Sequence, residues 1–260
     1  MMLKNKLALA IVGVCMSATG LAAVKSKAIE YKKGSETFEG LLISPEKVSG
    51  KLPAILMIHN WKGITEETKK QAERFADLGY IVFAADIYGK GIRPSAPEDA
   101  GKMSGKYKAD RKLFRENLNT ALNELKKQSN VDTGKLAAIG YCFGGTGALE
   151  LARSGADVKG VISFHGDLDS PTPADGKAIK ARVLALAGAD DPYQKPENLT
   201  AFENEMRESK VDWQLVKFGG AVHSFTELSA GTDNSKGAAY NEKADKRSFA
   251  DAQAFLKETL

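Results

Sequence analysis

After residue 23 the chain alternates short apolar runs with longer segments of helical periodicity. Residues 28–32 and 37–43 cluster apolar and β-branched side chains around Lys33-Gly34-Ser35, the pattern of an antiparallel hairpin. Residues 53–58 predict a buried strand. Residues 66–78 place Ala72, Phe75, Ala76 and Leu78 at helical spacing ahead of Gly79, which predicts a helix with a glycine stop. The same periodicities predict further strands at 81–85, 136–140, 158–164, 183–187 and 213–216. They predict helices at 111–128, 147–153, 196–209 and 244–257. Such alternation builds an α/β fold, a mostly parallel sheet with helices on both faces and the hairpin as its antiparallel N-terminal edge. The longest stretches without periodicity, 88–108, 166–179 and 219–239, each follow a predicted strand. They therefore fall at the carboxyl edge of the sheet, where open α/β folds bind ligands.

Composition narrows this picture without redirecting it. A chain of 260 residues with 43% hydrophobic and 27% charged residues is an ordinary globular protein, which excludes a disordered chain and a multi-pass membrane protein. Residues 24–260 are expected to form one domain. The net charge of +4 comes from lysines interspersed with acids, not from a basic block, so nucleic acid is not an expected partner.

The first residues read differently. Lys4 and Lys6 precede an apolar stretch at 7–16, and Gly20-Leu21-Ala22-Ala23 offers small residues for processing. Ser17, Thr19 and Gly20 break the apolar run short of the roughly 20 residues that span a bilayer. Residues 1–23 are thus expected to be a cleaved secretory signal, and the mature protein to be periplasmic or secreted and free of the membrane. Cleavage removes Cys15 and leaves Cys142 as the one remaining cysteine. A lone cysteine has no intrachain disulfide partner, so it is a buried spectator, an intermolecular link or a reactive group.

The surroundings of Cys142 favour reactivity. Gly140-Tyr141-Cys142-Phe143-Gly144 lies between a predicted strand and a predicted helix and matches the nucleophile-elbow pattern with cysteine in place of serine. Glycines two before and two after the nucleophile remove Cβ atoms from a crowded turn, and the helix N-terminus favours a thiolate. A thiol needs a base, and hydrolases built on this turn supply nucleophile, acid and histidine in that chain order. His223 follows the last predicted strand. Asp191, in Gly188-Ala189-Asp190-Asp191-Pro192 after the strand at 183–187, is the acid favoured over Asp190. His59, at a strand end, and His165, on a loop, are the rival bases. The backbone N–H groups of Phe143 and Trp61 are the expected oxyanion donors. Asn60, Lys62, Tyr88, Lys90, Arg93 and Tyr193 lie on carboxyl-edge loops as candidate substrate contacts, Lys90 or Arg93 suiting a carboxylate. The expected chemistry is attack of the sulfur on a substrate carbonyl. A binding protein that holds a small molecule on the same fold without turnover is the alternative.

The chain resembles the dienelactone hydrolase family of α/β-hydrolases over nearly all of its mature length. The likeness is carried by Ala85-Asp86-Ile87-Tyr88-Gly89-Lys90-Gly91, by residues 140–145 and 188–192, by Val222-His223-Ser224-Phe225-Thr226 and by the final segment from Ala239 to Leu256. The resemblance implies a nucleophile at Cys142, an acid at Asp191, a base at His223, and lactone or ester hydrolysis with neither metal nor cofactor. One departure stands out. Asn60 occupies the place, two positions beyond the third strand, where well-known members carry a glutamate that interacts with the resting thiol.

Overall fold

The computed structural model describes residues 23–260, so the expected signal segment lies outside the described residues except for Ala23. Two long strands open the fold, β1 (Val24–Lys33) and β2 (Glu36–Pro45), paired antiparallel with Tyr31 opposite Phe38. Then follow β3 (Leu52–Ile58), α1 (Glu66–Ala76), β4 (Ile81–Ala85), α2 (Pro97–Ala109), α3 (Arg111–Lys126), β5 (Val131–Tyr141) and α4 (Phe143–Arg153). The chain closes with β6 (Gly160–Phe164), β7 (Arg182–Gly188), α5 (Pro196–Glu208), β8 (Trp213–Phe218) and α6 (Glu242–Thr259). All eight strands form one sheet in the order β1-β2-β4-β3-β5-β6-β7-β8. β2 joins β4 antiparallel, and every pairing from β4 to β8 is parallel, so the expected architecture is the one observed.

Strand alternation divides the core between the two faces of this sheet. Leu56 and Ile58 of β3 face the side covered by Phe114 and Leu118 of α3, Leu149 of α4 and Phe202 of α5. Ile55 and Met57 face the other side, under Phe75 of α1 and Leu256 of α6. No helix among the described residues is long and apolar enough to cross a membrane.

The order β4-β3-β5 positions the site. From β3 the chain steps one way to β4 and then crosses back to β5, so the connections diverge above the carboxyl ends of β3 and β5. That divergence is the crevice in which open parallel sheets bind ligands. It brings the loop after β3, which holds Asn60 and Trp61, beside the turn after β5, which holds Cys142.

Two expectations need correction. The stretch 88–108 contains a helix, α2, which buries only Ala100, Ser104 and Tyr107 and carries Gly101 and Gly105, so its apolar stripe is too thin to register as periodicity. The fourth helix begins at Phe143, four residues earlier than its glycine-poor half suggested, because Gly144, Gly145 and Gly147 lower helix propensity at the end that must approach the sheet.

Candidate active site

Cys142 joins β5 to α4 with φ 55° and ψ −119°, a strained conformation for a residue with a side chain. Its N–H is anchored on the carbonyl of Phe164 at 2.9 Å. The flanking glycines have a steric reason. A Cβ on Gly140 would stand 1.8 Å from the carbonyl oxygen of Gly144, and one on Gly144 would stand 2.2 Å from that of Ile58. The turn thus closes only with glycine at both positions, and it presents the Cys142 side chain in a partly exposed position at the head of α4.

His223 comes from the loop after β8. Its N–H donates to the Gly237 carbonyl at 3.2 Å and its carbonyl accepts from the Ala239 N–H at 3.0 Å, which ties its backbone to residues 237–239 of the same loop. Its Nε2 lies 3.0 Å from Cys142 Sγ and its Nδ1 lies 2.8 Å from Asp191 Oδ2. The other oxygen of Asp191 accepts the Tyr193 N–H at 2.8 Å, so both carboxylate oxygens are engaged and the group is directed at the imidazole. Asp190 turns away to receive the Gly220 N–H at 2.9 Å. Burial works against a charged His223, but the charge of Cys142 and the hydrogen bonds to Asp191 and Cys142 together raise its pKa well above the ordinary value.

The rival histidines are committed elsewhere. His165 lies edge-on to His223, with ring centroids 5.2 Å apart, and its Nε2 meets Thr226 Oγ1 at 2.8 Å. Burial, then the charge on His223, push its pKa well below the usual range. His59 accepts the Ile87 N–H on Nε2 at 3.2 Å, so its proton sits on Nδ1, which donates to the Asn60 carbonyl at 2.6 Å. Burial lowers its pKa to about 4, against the opposing influence of the Asn60 bond and Asp86.

A cavity of about 460 Å³ opens over the sulfur, lined by Cys142, His223, Asp191, Trp61 and Phe143 among others. Phe143 is the first residue of α4, so its N–H has no acceptor within the helix. Tyr88 donates to the Trp61 carbonyl at 2.9 Å and packs against the Phe143 ring, supporting the wall from behind. Among the described residues no group of three or more His, Cys, Asp or Glu side chains is arranged to hold a metal ion.

The other sequence candidates separate clearly. Tyr193 lines the cavity, edge-on to His223, and Lys62 lies at its rim. Lys90 and Arg93 do not line it. Lys90 bonds to Glu30 and lies 3.8 Å from Glu39, out on the β1–β2 hairpin. Arg93 is drawn to Asp86, whose fully buried carboxylate needs a nearby cation, and its guanidinium also donates to the Glu39 and Ile92 carbonyls. Asn60 is buried and does not line the cavity. Its Oδ1 accepts the Lys62 N–H at 3.0 Å and its Nδ2 donates to Glu227 Oε1 at 3.2 Å. Glu227 is the residue that sequence reasoning missed. It lines the cavity and is 6% exposed, and its one signal in the sequence is its place four residues after His223 on the same loop.

The parallel sheet, the crevice at its switch point and the strained turn bearing Cys142 define an α/β-hydrolase. The pattern of the dienelactone hydrolase family matches residues 38–260, and the chain belongs to that family, a class of ester and lactone hydrolases. A solved structure named m3DLH is 36% identical with a TM-score of 0.88, over 92% of this chain and 99% of that one. The dienelactone hydrolase-like promiscuous phosphotriesterase P91 from metagenomic libraries is 35% identical with a TM-score of 0.86, over 91% of this chain and 99% of its own. A relative from Aquifex aeolicus, named as a carboxymethylenebutenolidase candidate, is 27% identical over 76% of this chain and 85% of its own length.

Proposed function

We propose that the chain is an exported cysteine hydrolase that cleaves a small ester or lactone through a thioester acyl-enzyme, with Cys142 as nucleophile, His223 as base and Asp191 as the acid that orients it. The observation that carries the reading is the unbroken line from Asp191 Oδ2 through the imidazole to Cys142 Sγ, with contacts of 2.8 and 3.0 Å. His223 takes the thiol proton and the sulfur attacks the carbonyl carbon. The N–H groups of Phe143 and Trp61, both on the cavity wall, receive the oxyanion. Collapse of the tetrahedral intermediate breaks the C–O bond. The departing alkoxide takes the proton from His223 and, in a lactone, stays tethered to the acyl group. Water then attacks the thioester with His223 again as base, which releases the carboxylic acid and restores the thiol. No step requires a metal or cofactor.

The decisive experiment is mass spectrometry of the protein after incubation with a panel of lactones and activated esters. An acyl adduct on Cys142, absent from Cys142→Ala of unchanged circular dichroism, supports the reading. Full activity in that variant removes it. Export rests on the charged and apolar pattern of residues 1–23, and N-terminal sequencing of protein recovered from the periplasm or medium tests it; an intact Met1 with all protein retained in the cytoplasm ends it.

A further inference from the structure

The reaction described above leaves two carboxyls of the cavity lining unused, Asp167, which is paired with Lys108, and Glu227. Glu227 is buried in the wall, and its backbone is fixed by turn hydrogen bonds, its N–H to the Ser224 carbonyl at 2.9 Å and its carbonyl from the Ala230 N–H at 3.0 Å. The direction of its partner is settled. Because Asn60 Oδ1 must accept the Lys62 N–H, Nδ2 is the atom that faces Glu227, at 3.2 Å from Oε1. Among the described residues no side chain or amide engages Oε2, and no cation lies within salt-bridge distance of either oxygen. Oε2 is not among the buried polar atoms that lack a partner, so it faces space that solvent or a bound molecule fills.

The charges around the cavity indicate what fills it. Asp191 is engaged by His223, and Lys108 by Asp167 at 3.1 Å. That leaves Glu227 inside the wall and Lys62 exposed at the rim as the uncommitted charges of the lining. Lys90 and Arg93, the cations that would have suited a carboxylate, are held by Glu30 and Asp86 outside it.

We propose that Glu227 determines specificity, its free oxygen receiving a hydroxyl or ammonium group of the substrate while the same carboxyl disfavours esters that carry a carboxylate. The proposal rests on the hydrolase reading above and adds to it the chemical class of the substrate. Burial raises the Glu227 pKa to about 7, so near neutrality the carboxyl both accepts from and donates to a hydroxyl.

Four butyrate esters of similar length provide the test: butyl butyrate, 1,4-butanediol monobutyrate, butyrylcholine and 4-(butyryloxy)butanoate, each followed by release of butyrate at pH 7.5. The wild-type protein should rank the hydroxyl and choline esters above the carboxylate ester in kcat/KM. Glu227→Gln, which keeps the volume and an acceptor for Asn60, should raise kcat/KM for the carboxylate ester by about tenfold and lower it for the choline ester by a similar factor. The change for butyl butyrate should stay within about twofold. Glu227→Asp should keep the wild-type ranking. Equal changes on all four esters would make Glu227 a structural residue and overturn the proposal. A wild-type preference for the carboxylate ester would overturn it without recourse to any variant. Absence of turnover on all four, with Cys142 unlabelled by an activated ester, would instead remove the hydrolase reading and the proposal with it.

Discussion

The imidazole of His59 holds the carbonyl of Asn60 at 2.6 Å, and that carbonyl shares its peptide plane with the N–H of Trp61. A buried histidine fixed on its far side by the Ile87 N–H therefore sets the direction of the N–H proposed as one oxyanion donor. His59→Gln should lower kcat by about tenfold with little change in KM, less than the 10²–10³-fold reported for losing such a donor outright. Steady-state kinetics on a neutral ester checks the split, and a rise confined to KM would show that the peptide does not serve the transition state.

The same histidine makes a prediction about acid. Its pKa is about 4 in the folded protein and about 6.5 in an exposed chain, so below pH 6.5 the unfolded state takes up a proton that the folded state refuses. The stabilisation is complete above pH 6.5 and is lost as pH falls through about 4, by about 3 kcal/mol in all. Urea titrations of wild type and His59→Gln at pH 7.5 and 4.5 should show the wild type losing more stability between the two. Parallel losses would mean that other groups govern acid sensitivity.

Much of this site could be read from residue order alone, for a physical reason. The turn at Cys142 tolerates only glycine at 140 and 144, so sterics write the motif into the sequence. The loops carrying Asp191 and His223 follow apolar strands whose carboxyl ends share one sheet edge. What could not be read was which charged loop residues already had partners. Arg93 is a solvent-exposed loop cation by pattern, and its bonds to the buried Asp86 and to the Glu39 and Ile92 carbonyls hold it away from the cavity. Glu227 shows the converse. A glutamate on a polar loop reads as solvated, and its burial follows from the long-range contact with Asn60, 167 residues away.

His223 holds its proton more firmly than an ordinary histidine because Cys142 and Asp191 both favour the imidazolium. Replacing Asp191 with asparagine removes one of these influences, so the imidazolium becomes less populated near neutrality and His223 is a poorer acceptor for the thiol proton. Iodoacetamide should alkylate Cys142 of Asp191→Asn about tenfold more slowly than wild type at pH 6, with the gap narrowing at pH 9, where base deprotonates the thiol directly. Equal rates at both pH values would show that Asp191 does not act through His223.

Arg153 carries a separate structural load. Its side chain is fully buried on α4, and Nε and Nη2 bond to the two oxygens of Glu205 on α5 at 2.9 and 2.7 Å, with Glu150 at 3.0 Å from Nη1. Removing one member leaves a buried charge short of a partner, so Glu205→Ala should cost about 3–5 kcal/mol. Urea unfolding measures it, and a loss under 1 kcal/mol would indicate that water or a neighbouring acid replaces Glu205.

Glu227 titrates the other way from His59. Burial raises its pKa from 4.5 to about 7, opposed by the Asn60 bond and by His223 and Lys62, and assisted by Glu67. Between these values the unfolded chain is ionised while the folded protein keeps its proton, so the folded state binds more protons and loses stability as pH rises. The contribution is complete below pH 4.5 and is gone once pH passes about 7, a loss of about 3 kcal/mol. Glutamine has no proton to lose. The stability of Glu227→Gln should therefore decline less than that of wild type between pH 5 and 8, and at pH 8 the variant should be the more stable protein. Thermal midpoints across that range decide the matter. Parallel curves would mean that Glu227 is ionised throughout, which would require a cation or solvent beside its second oxygen.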